Sequence, residues 1–481
     1  MGLIKEITDV SELKDIPVND KFYEMIDNWK QIYQGYYPEW HDIRYHTIDG
    51  PKTRTMATMN MAKVVSQEMS SLIFNEECEI SISDPDFSEF VEGVLEDNRF
   101  YFKFQSYLEY MFGTSGMVLK PYVENDKIKI SYVTADCFIP ISWDNKGVFE
   151  AAFLFQTRKG KKHYTHLEIH QKVDNGYLIK NELYESEIGG KLGHKVPISI
   201  LYPDLDPEVL IENLDRPLFV YFRPNIANNF EFNSPLGVPL YINAMDTLKA
   251  LDVAFDSFQR EFKLGKKRII VPASSVRAIA DENGGMVRYF DSSDEVYQAF
   301  AYGDLEKQKI YDNTVEIRVE EHIKAINSLL DILAMQTGFS TGAFTFDGQS
   351  VKTATEVVSE NSKTFKSKQS HEIIIEDGIK ELISIIGDLA DLYNLYSTPQ
   401  DYEVSVKFDD SIAEDENAEI DKQIKLLTNR LTSQKRAIMK VHRVTEEEAE
   451  EIIREILAET RQASPDLEEL KAEGALFGEE E

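Results

Sequence analysis

Basic residues are scarce in this chain. Its 52 Lys and Arg stand against 85 Asp and Glu, a formal charge of −33 over 481 residues. That deficit excludes a protein that grips nucleic acid over a broad surface, because such binding needs Lys and Arg clusters that displace counterions from phosphates. Cysteine is almost missing as well. Cys78 and Cys137 lie far apart, in no metal or redox spacing, which argues against a disulfide scaffold and for an intracellular setting. The start, "MGLIKEITDV", has no basic region followed by an apolar run and lacks the Ser or Thr of a myristoylation signal. No apolar run approaches membrane-spanning length, so the expectation is a soluble chain with no membrane partner.

Motifs of catalysis are also missing. "GGKLGHK" (189–195) has glycines and lysines without the G-x-x-x-x-G-K-[ST] spacing that cradles phosphates, so the chain is not expected to hydrolyse ATP. No G-x-S-x-G elbow occurs. "DDSIAEDENAEID" (409–421) is rich in carboxylates but lacks the glycine at the sharp turn of a calcium loop, and reads as a solvated acidic face. His163, His166 and His170 invite a zinc reading. In a strand, however, His166, Glu168 and His170 share the face opposite Leu167 and Ile169, and half-burial explains that alternation. The expectation is no catalytic residue, no metal, no cofactor and no enzyme.

What is present is a globular α+β chain: 42% hydrophobic and 11% aromatic, long enough for roughly three domains. After a polar N-terminal arm, Met61, Val64, Val65, Met69, Leu72 and Ile73 fall at helical spacing. "FYFKFQSYLEYMFGTSG" reads as a second helix, stopped at Gly113 or Gly116. From Met117 to about Tyr184 the period becomes two, in "MVLKPYV", "KIKISYV", "EAAFLFQT", "HYTHLEIHQKV" and "GYLIKNELY", with a hairpin signal at "DNG" (174–176). This predicts a mostly antiparallel sheet.

A long helix is expected after Pro239. Its Leu248, Leu251, Phe255, Phe258 and Phe262 repeat at +3, +4, +3, +4, a narrow packing seam whose partner the spacing does not identify. A β-like insertion of roughly forty residues follows, with "RIIVP", "DENGG" and "MVRYF". A second long helix is expected from about Asp304 to Met335, with Ile323, Ile326, Leu330 and Leu333 on one side. The pair would make a stalk with a tip. "TGFSTGAFTFDGQS" reads as a glycine-rich loop exposing Phe344 and Phe346.

The helix that follows has two characters. Thr353 and Glu356 have capping-box spacing, so it should start at Ala354. Its first half, to Glu372, is polar almost all round, which suits a solvent-facing helix or one bordering a water-filled channel. Lys363 and Lys366 are one turn apart there. The second half regains an apolar stripe through Ile375, Ile379, Leu382, Ile386 and Leu389, with Gly378 and Gly387 as bend points. Run to Tyr396, it would span about 65 Å. A unit of small helices closes the chain, with a second capping box at Thr445 and Glu448 and an acidic balance.

The order of these parts resembles the portal (head-to-tail connector) proteins of tailed bacteriophages, in the branch found in phages and prophages of Gram-positive bacteria. The resemblance runs from about Met56 to Glu459. It rests on "AKVVSQEMSSLIFNEE", "SPLGVPLYINAMDTLKALDVAFDSF", "VEIRVEEHIKAINSLLDILAMQTGFS", "KTATEVVSENSKTFKSKQSHE" and "FDDSIAEDENAEIDKQ". It implies a portal-type α+β fold: wing (1–239), stem helices (240–264 and 304–339), a small β-containing clip (265–303), tunnel loop (340–349), long helix (350–398), and crown with tail (399–481). It implies a homo-oligomeric ring, a dodecamer in this family, at one vertex of the virion capsid and assembled in the host cytoplasm. Double-stranded DNA would pass through it during packaging and ejection, weakly contacted. The implied tunnel-loop residues are Phe344, Phe346, Asp347 and Gln349, with Lys363 and Lys366 as DNA-facing candidates on the helix. The implied partners are the terminase large subunit, scaffolding and major capsid proteins, and head-completion and tail adaptor proteins. Competing readings are a shorter head–tail adaptor-like or cellular scaffold protein, and a packaging enzyme. The missing phosphate cradle and metal cluster speak against the enzyme.

Overall fold

The computed structural model describes residues 19–47, 50–75, 78–265, 316–346 and 354–408, residue 9, short strands between 269 and 312, and most of 416–442 with a few residues beyond. The chain divides into two compact units: Met1–Ser350 with Lys363–Asp409, and Val351–Ser362 with Asp410–Glu481.

The expected polar arm contains an amphipathic helix instead. In α1 (Asp20–Tyr33), Phe22, Ile26, Trp29 and Tyr33 recur at helical spacing and are buried, so the segment docks rather than floats. The turn α2 (Pro38–His41) leads into a hairpin of β1 (Asp42–Thr47) and β2 (Gly50–Thr55). Helix α3 (Met61–Ile73) buries the predicted Met61, Val65, Met69 and Ile73. After β3 (Glu79–Ile82), α4 (Pro85–Asp97) starts with Pro85 behind Asp84, whose carboxylate accepts from the Phe87 amide at 2.9 Å. Helix α5 (Phe100–Thr114) ends near its two glycines for another reason. A Cβ at Gly113 would lie 2.5 Å from the Tyr33 ring, and one at Gly116 2.6 Å from the Tyr221 hydroxyl. Both positions are small because aromatic groups press on the backbone.

The five predicted strands are present: β4 (Met117–Glu124), β5 (Lys127–Thr134), β7 (Val148–Lys159), β8 (Lys162–Val173) and β9 (Gly176–Ser186), with β6 (Phe138–Trp143) between β5 and β7. Strand β6 escapes pattern reading because it carries Pro140 and a bulge, both tolerated because it forms a sheet edge. Toward the other edge, β9 pairs with both β10 (His194–Val196) and β11 (Glu208–Glu212), giving the order β10-β9-β8-β7-β6 with β11 on an earlier stretch of β9 than β10. A second sheet, β12-β4-β5, is completed by β12 (Val220–Phe222). All pairings in these two sheets are antiparallel.

Strand β8 departs from expectation. Tyr164 to His170 are all buried, so both faces of the strand are covered rather than one. The polar face is satisfied internally. The Lys120 ammonium and His170 Nε2 (2.6 Å) both engage the Glu168 carboxylate, His170 Nδ1 meets the Tyr177 hydroxyl at 3.1 Å, and His166 meets Asn181 at 3.0 Å. Burial would raise the Glu168 pKa, but Lys120 and His170 hold it well below the carboxylate range. Burial lowers both histidines. Among the described residues no group of three His, Cys, Asp or Glu could hold a metal ion.

Helix α6 (Met245–Leu264) follows a short turn of 3₁₀ helix. The insertion beyond it is β-rich, as expected, but "RIIVP" and "MVRYF" do not pair with each other. Strand β13 (Ile269–Pro272) pairs with β16 (Tyr297–Phe300) in parallel and with β17 (Tyr311–Asp312), while β14 (Ala278–Ala280) pairs with β15 (Met286–Arg288). The strand pairing of Tyr311–Asp312 excludes the expected helix start at Asp304. Helix α7 is Val319–Thr337.

The long helix α8 (Ala354–Leu392) begins where predicted, although Thr353 of the capping box lies outside the described residues. Its apolar half buries Ile375, Ile379, Leu382, Ile383, Ile386 and Leu389 in the main core, with residues from α3, α4, α5, α6 and α7. Gly378 is a contact point, since a Cβ there would sit 2.3 Å from the Phe222 ring. Strand β18 (Val404–Lys407) then returns to pair with β3, and Phe87 is stacked on Tyr396 and met edge-on by Tyr402. The second segment of the first unit ends at Asp409. In the second unit, α9 (Glu416–Thr428) and α10 (Gln434–His442) pack together. The Thr445/Glu448 box and the tail lie outside the described residues.

Candidate functional site

The predicted stalk and loop come together around the end of α7. The Phe255/Phe258 seam has its partner within the chain. Leu248 and Leu251 are buried in the core, the Phe258 ring lies 5.8 Å from His322 of α7, and Phe346 caps both Phe258 (5.7 Å) and Phe255 (6.3 Å). Phe262, at the end of the series, is exposed. Phe344 packs on Phe339 at 5.0 Å. The two phenylalanines expected to be exposed are thus half-buried, because the loop folds back onto the helices it joins. Asp347 and Gln349 lie outside the described residues.

Local chemistry explains the fold-back. Gly338 caps α7 in the left-handed region (φ +86), and a Cβ there would lie 2.3 Å from Ser367 Oγ, so turn and close approach both require glycine. The loop amides are then collected by side chains: Gly342 N donates to Asp331 Oδ1 (2.9 Å), Phe346 N to Asn327 Oδ1 (2.8 Å) and Ser340 N to Thr364 Oγ1 (2.9 Å). Lys363 Nζ donates to the Met335 carbonyl at 2.5 Å, a cation on the negative end of α7. Lys366 is exposed.

Among the described side chains of the polar half of α8, 363–372, four are turned inward. Thr364, Lys368, His371 and Glu372 are buried. Lys368 and Glu372, one turn apart, form an ion pair at 2.5 Å. His371 Nδ1 accepts from the Asn225 amide at 3.0 Å, and the Asn225 side chain donates to the Ser370 carbonyl at 2.7 Å. Burial pushes the His371 pKa down to about 4, leaving it neutral. The expectation of a helix face bathed in water is corrected for these residues: their partners lie in their own chain.

Two carboxylates that pattern reading passed over anchor the stalk. Asp256 accepts from Arg54 Nη1 (2.8 Å), Arg54 Nη2 (2.7 Å) and the Ala57 amide (3.1 Å). Asp252 accepts from Thr58 Oγ1 (2.9 Å) and the Met59 amide (2.8 Å). The Tyr37 amide donates to His41 Nδ1, which leaves His41 Nε2 to donate to Asp252 at 3.2 Å. Their spacing of four beside an apolar seam was the available signal, and it names no partner.

Among the described residues nothing in this arrangement couples a nucleophile to a base. It consists of two antiparallel helices, β strands in the segment between them, and a loop pinned at the end of α7. The family model for phage portal proteins, SPP1 Gp6-like, matches residues 13–466. The chain belongs to that family. Portal proteins are structural, non-enzymatic components of the virion capsid that work as oligomeric rings with capsid and packaging partners. The mixed helix and sheet architecture agrees with a portal-type α+β fold. No curated protein matches the chain. Among the described residues no helix is long and apolar enough to cross a membrane.

Proposed function

We propose that copies of this chain close a ring, of twelve subunits on the family pattern, at one capsid vertex, and that double-stranded DNA enters and leaves through its axis. The observation that carries this reading is the family match over nearly the whole chain, with the stalk helices flanking a β-rich insertion in portal order. Charge supports a conduit that does not hold its cargo. Twelve copies at −33 sum to −396, so phosphates meet a repelling wall except where a local cation intervenes. Lys366 is the stronger candidate for such a cation, because Lys363 is engaged with the Met335 carbonyl. The chain has no phosphate cradle, so the energy for filling comes from a partner, which on the family pattern is the terminase large subunit docked at the β-rich tip. Head-completion and tail adaptor proteins replace it afterwards, and scaffolding and major capsid proteins meet the sheet-bearing wing.

Native mass measurement with negative-stain imaging of the purified chain tests the ring. Closed rings with a central hole are expected, whereas a small oligomer without a hole would favour the scaffold reading. Replacing Lys363 and Lys366 together with Ala should alter packaging or DNA retention in a packaging assay. Unchanged packaging would remove both lysines from the mechanism.

A further inference from the structure

One short stretch of this acidic chain runs against its overall charge. "RKGKK" (158–162) places four cations in five residues with no carboxylate among them, the densest basic run in the sequence. It falls on the turn between β7 and β8, where Gly160 takes the left-handed conformation (φ +67) and Lys159 stands opposite Lys162 across the ladder. The turn stands clear of the sheet on one side. Pairing between β6 and β7 reaches only as far as Phe138 and Phe153, so β7 runs on through Leu154–Lys159, about 20 Å, beyond that neighbour. From Gln156 to Lys162 every residue is exposed.

Several surface cations elsewhere have a carboxylate at hand: Lys127 pairs with Asp97, Lys195 with Glu182, Lys324 with Glu320 and Lys380 with Glu376. At this turn Lys162 has one, Glu185 at 2.6 Å, and Glu187 adds to the negative field on the same ammonium. Arg158 donates to the Gly160 carbonyl at 3.2 Å, and Arg158, Lys159 and Lys161 form no ion pair among the described residues. Arg158 and Lys159 are consecutive in a strand, so their side chains leave opposite faces, and Lys161 lies on the turn itself. Three cations therefore surround the tip. The Debye length is about 8 Å at physiological salt, so an anion arriving here meets these three charges while most of the chain's −33 is screened.

We infer that the β7–β8 tip binds the phosphate backbone of double-stranded DNA, at a contact carried by the sheet rather than by α6, α7 or α8. The identity of the polyanion rests on the function proposed above. The chemistry of the tip favours phosphate over an acidic protein surface. A protein contact is centred on buried aromatic or aliphatic groups, and Gln156–Lys162 offers none. Phosphate binding needs only positioned cations. A two-stranded ribbon also fits the major groove, and cations on both faces of this one would meet the phosphates on either side. The acidic bulk of the chain then leaves DNA free to slide, while each copy contributes one weak point of adhesion that repetition in the assembly multiplies.

The test is fluorescence anisotropy of a labelled duplex of about twenty base pairs with the purified full-length chain. Three phosphate contacts predict that the association constant of one tip falls about 40-fold between about 50 and 200 mM salt. Arg158→Gln/Lys159→Gln/Lys161→Gln should weaken binding by about tenfold or more and flatten that salt dependence. Its thermal melt should match the wild type, since all three side chains are exposed. Lys21→Gln/Lys63→Gln/Lys127→Gln removes the same charge from exposed positions on other elements and should bind much as the wild type does. A wild-type chain that does not bind at the lower salt, or a tip variant no weaker than this control, overturns the inference. So does a tip that retains labelled poly-glutamate and not the duplex, which assigns it to an acidic protein instead. Native mass measurement on the same samples separates the two readings: a chain that forms no ring sinks the ring proposal, whereas the tip is scored on whatever oligomer is present.

Discussion

Two stretches of α8 bury side chains by different means. From Ile375 to Ala390 the helix offers aliphatic side chains to a core it shares with six other helices. From Thr364 to Glu372 it offers a hydroxyl, an ammonium, an imidazole and a carboxylate, each with a named partner. Apolar burial is non-directional and tolerates shape-conserving change, at about 1.5–3 kcal/mol per large side chain. Polar burial is directional, and losing one partner strands the other in a site without water. The comparison shows that a helix without a greasy side need not face solvent when its own chain supplies the matching groups.

Four changes would break or sharpen this contrast. The largest effect is expected at the joint between the halves. Gly378→Val drives a side chain into the Phe222 ring and should cost about 4 kcal/mol or more, read as a large drop in denaturation midpoint. A shift of a degree or so would show that the contact yields freely. Next, Glu372→Ala leaves the Lys368 ammonium buried without this carboxylate and should cost about 3–4 kcal/mol, while Lys368→Met/Glu372→Leu should recover most of it. A double variant no better than the single would mean that packing, not charge, holds this turn.

Third, His371 binds a proton at about pH 4 when folded and near its ordinary 6.5 when unfolded. The unfolded chain binds more protons between those values, so stability is complete above about pH 6.5 and falls as pH drops toward 4, by about 3 kcal/mol at most. His371→Gln, which retains an acceptor for the Asn225 amide, should flatten that window in thermal melts. Parallel curves for the two proteins would rule out the histidine as the titrating group. The smallest effect belongs to Thr364→Ala, about 1 kcal/mol, with faster amide exchange at Ser340 as its local signature.

Much of the fold was legible. The face of α3, the five strands, the seam of α6 and the start of α8 all follow from periodicity and turn residues, because one-sided burial imposes a period of 3.6 or 2. The misses share a cause: a side chain's partner lies far away in sequence. Strand β8 looked half-exposed until Lys120 and Tyr177 covered its polar face. Phe344 and Phe346 looked free until the loop doubled back on α6. Helix α1 was the exception, since its Phe22/Ile26/Trp29/Tyr33 spacing was visible and was overshadowed by the polar residues around it.

Periodicity and turn residues by themselves determined the buried face of α3, the run of antiparallel strands and the seam of α6, and the match to the portal family model is likewise a match of sequence. These are properties of residue type and spacing along one dimension. Only the tertiary structure decided which polar groups are spoken for. Lys363, Lys368, His371, Asp252 and Asp256 acquire their roles from neighbours that sequence distance does not reveal, and hydrogen-bond reach is a few ångströms in space whatever the separation along the chain.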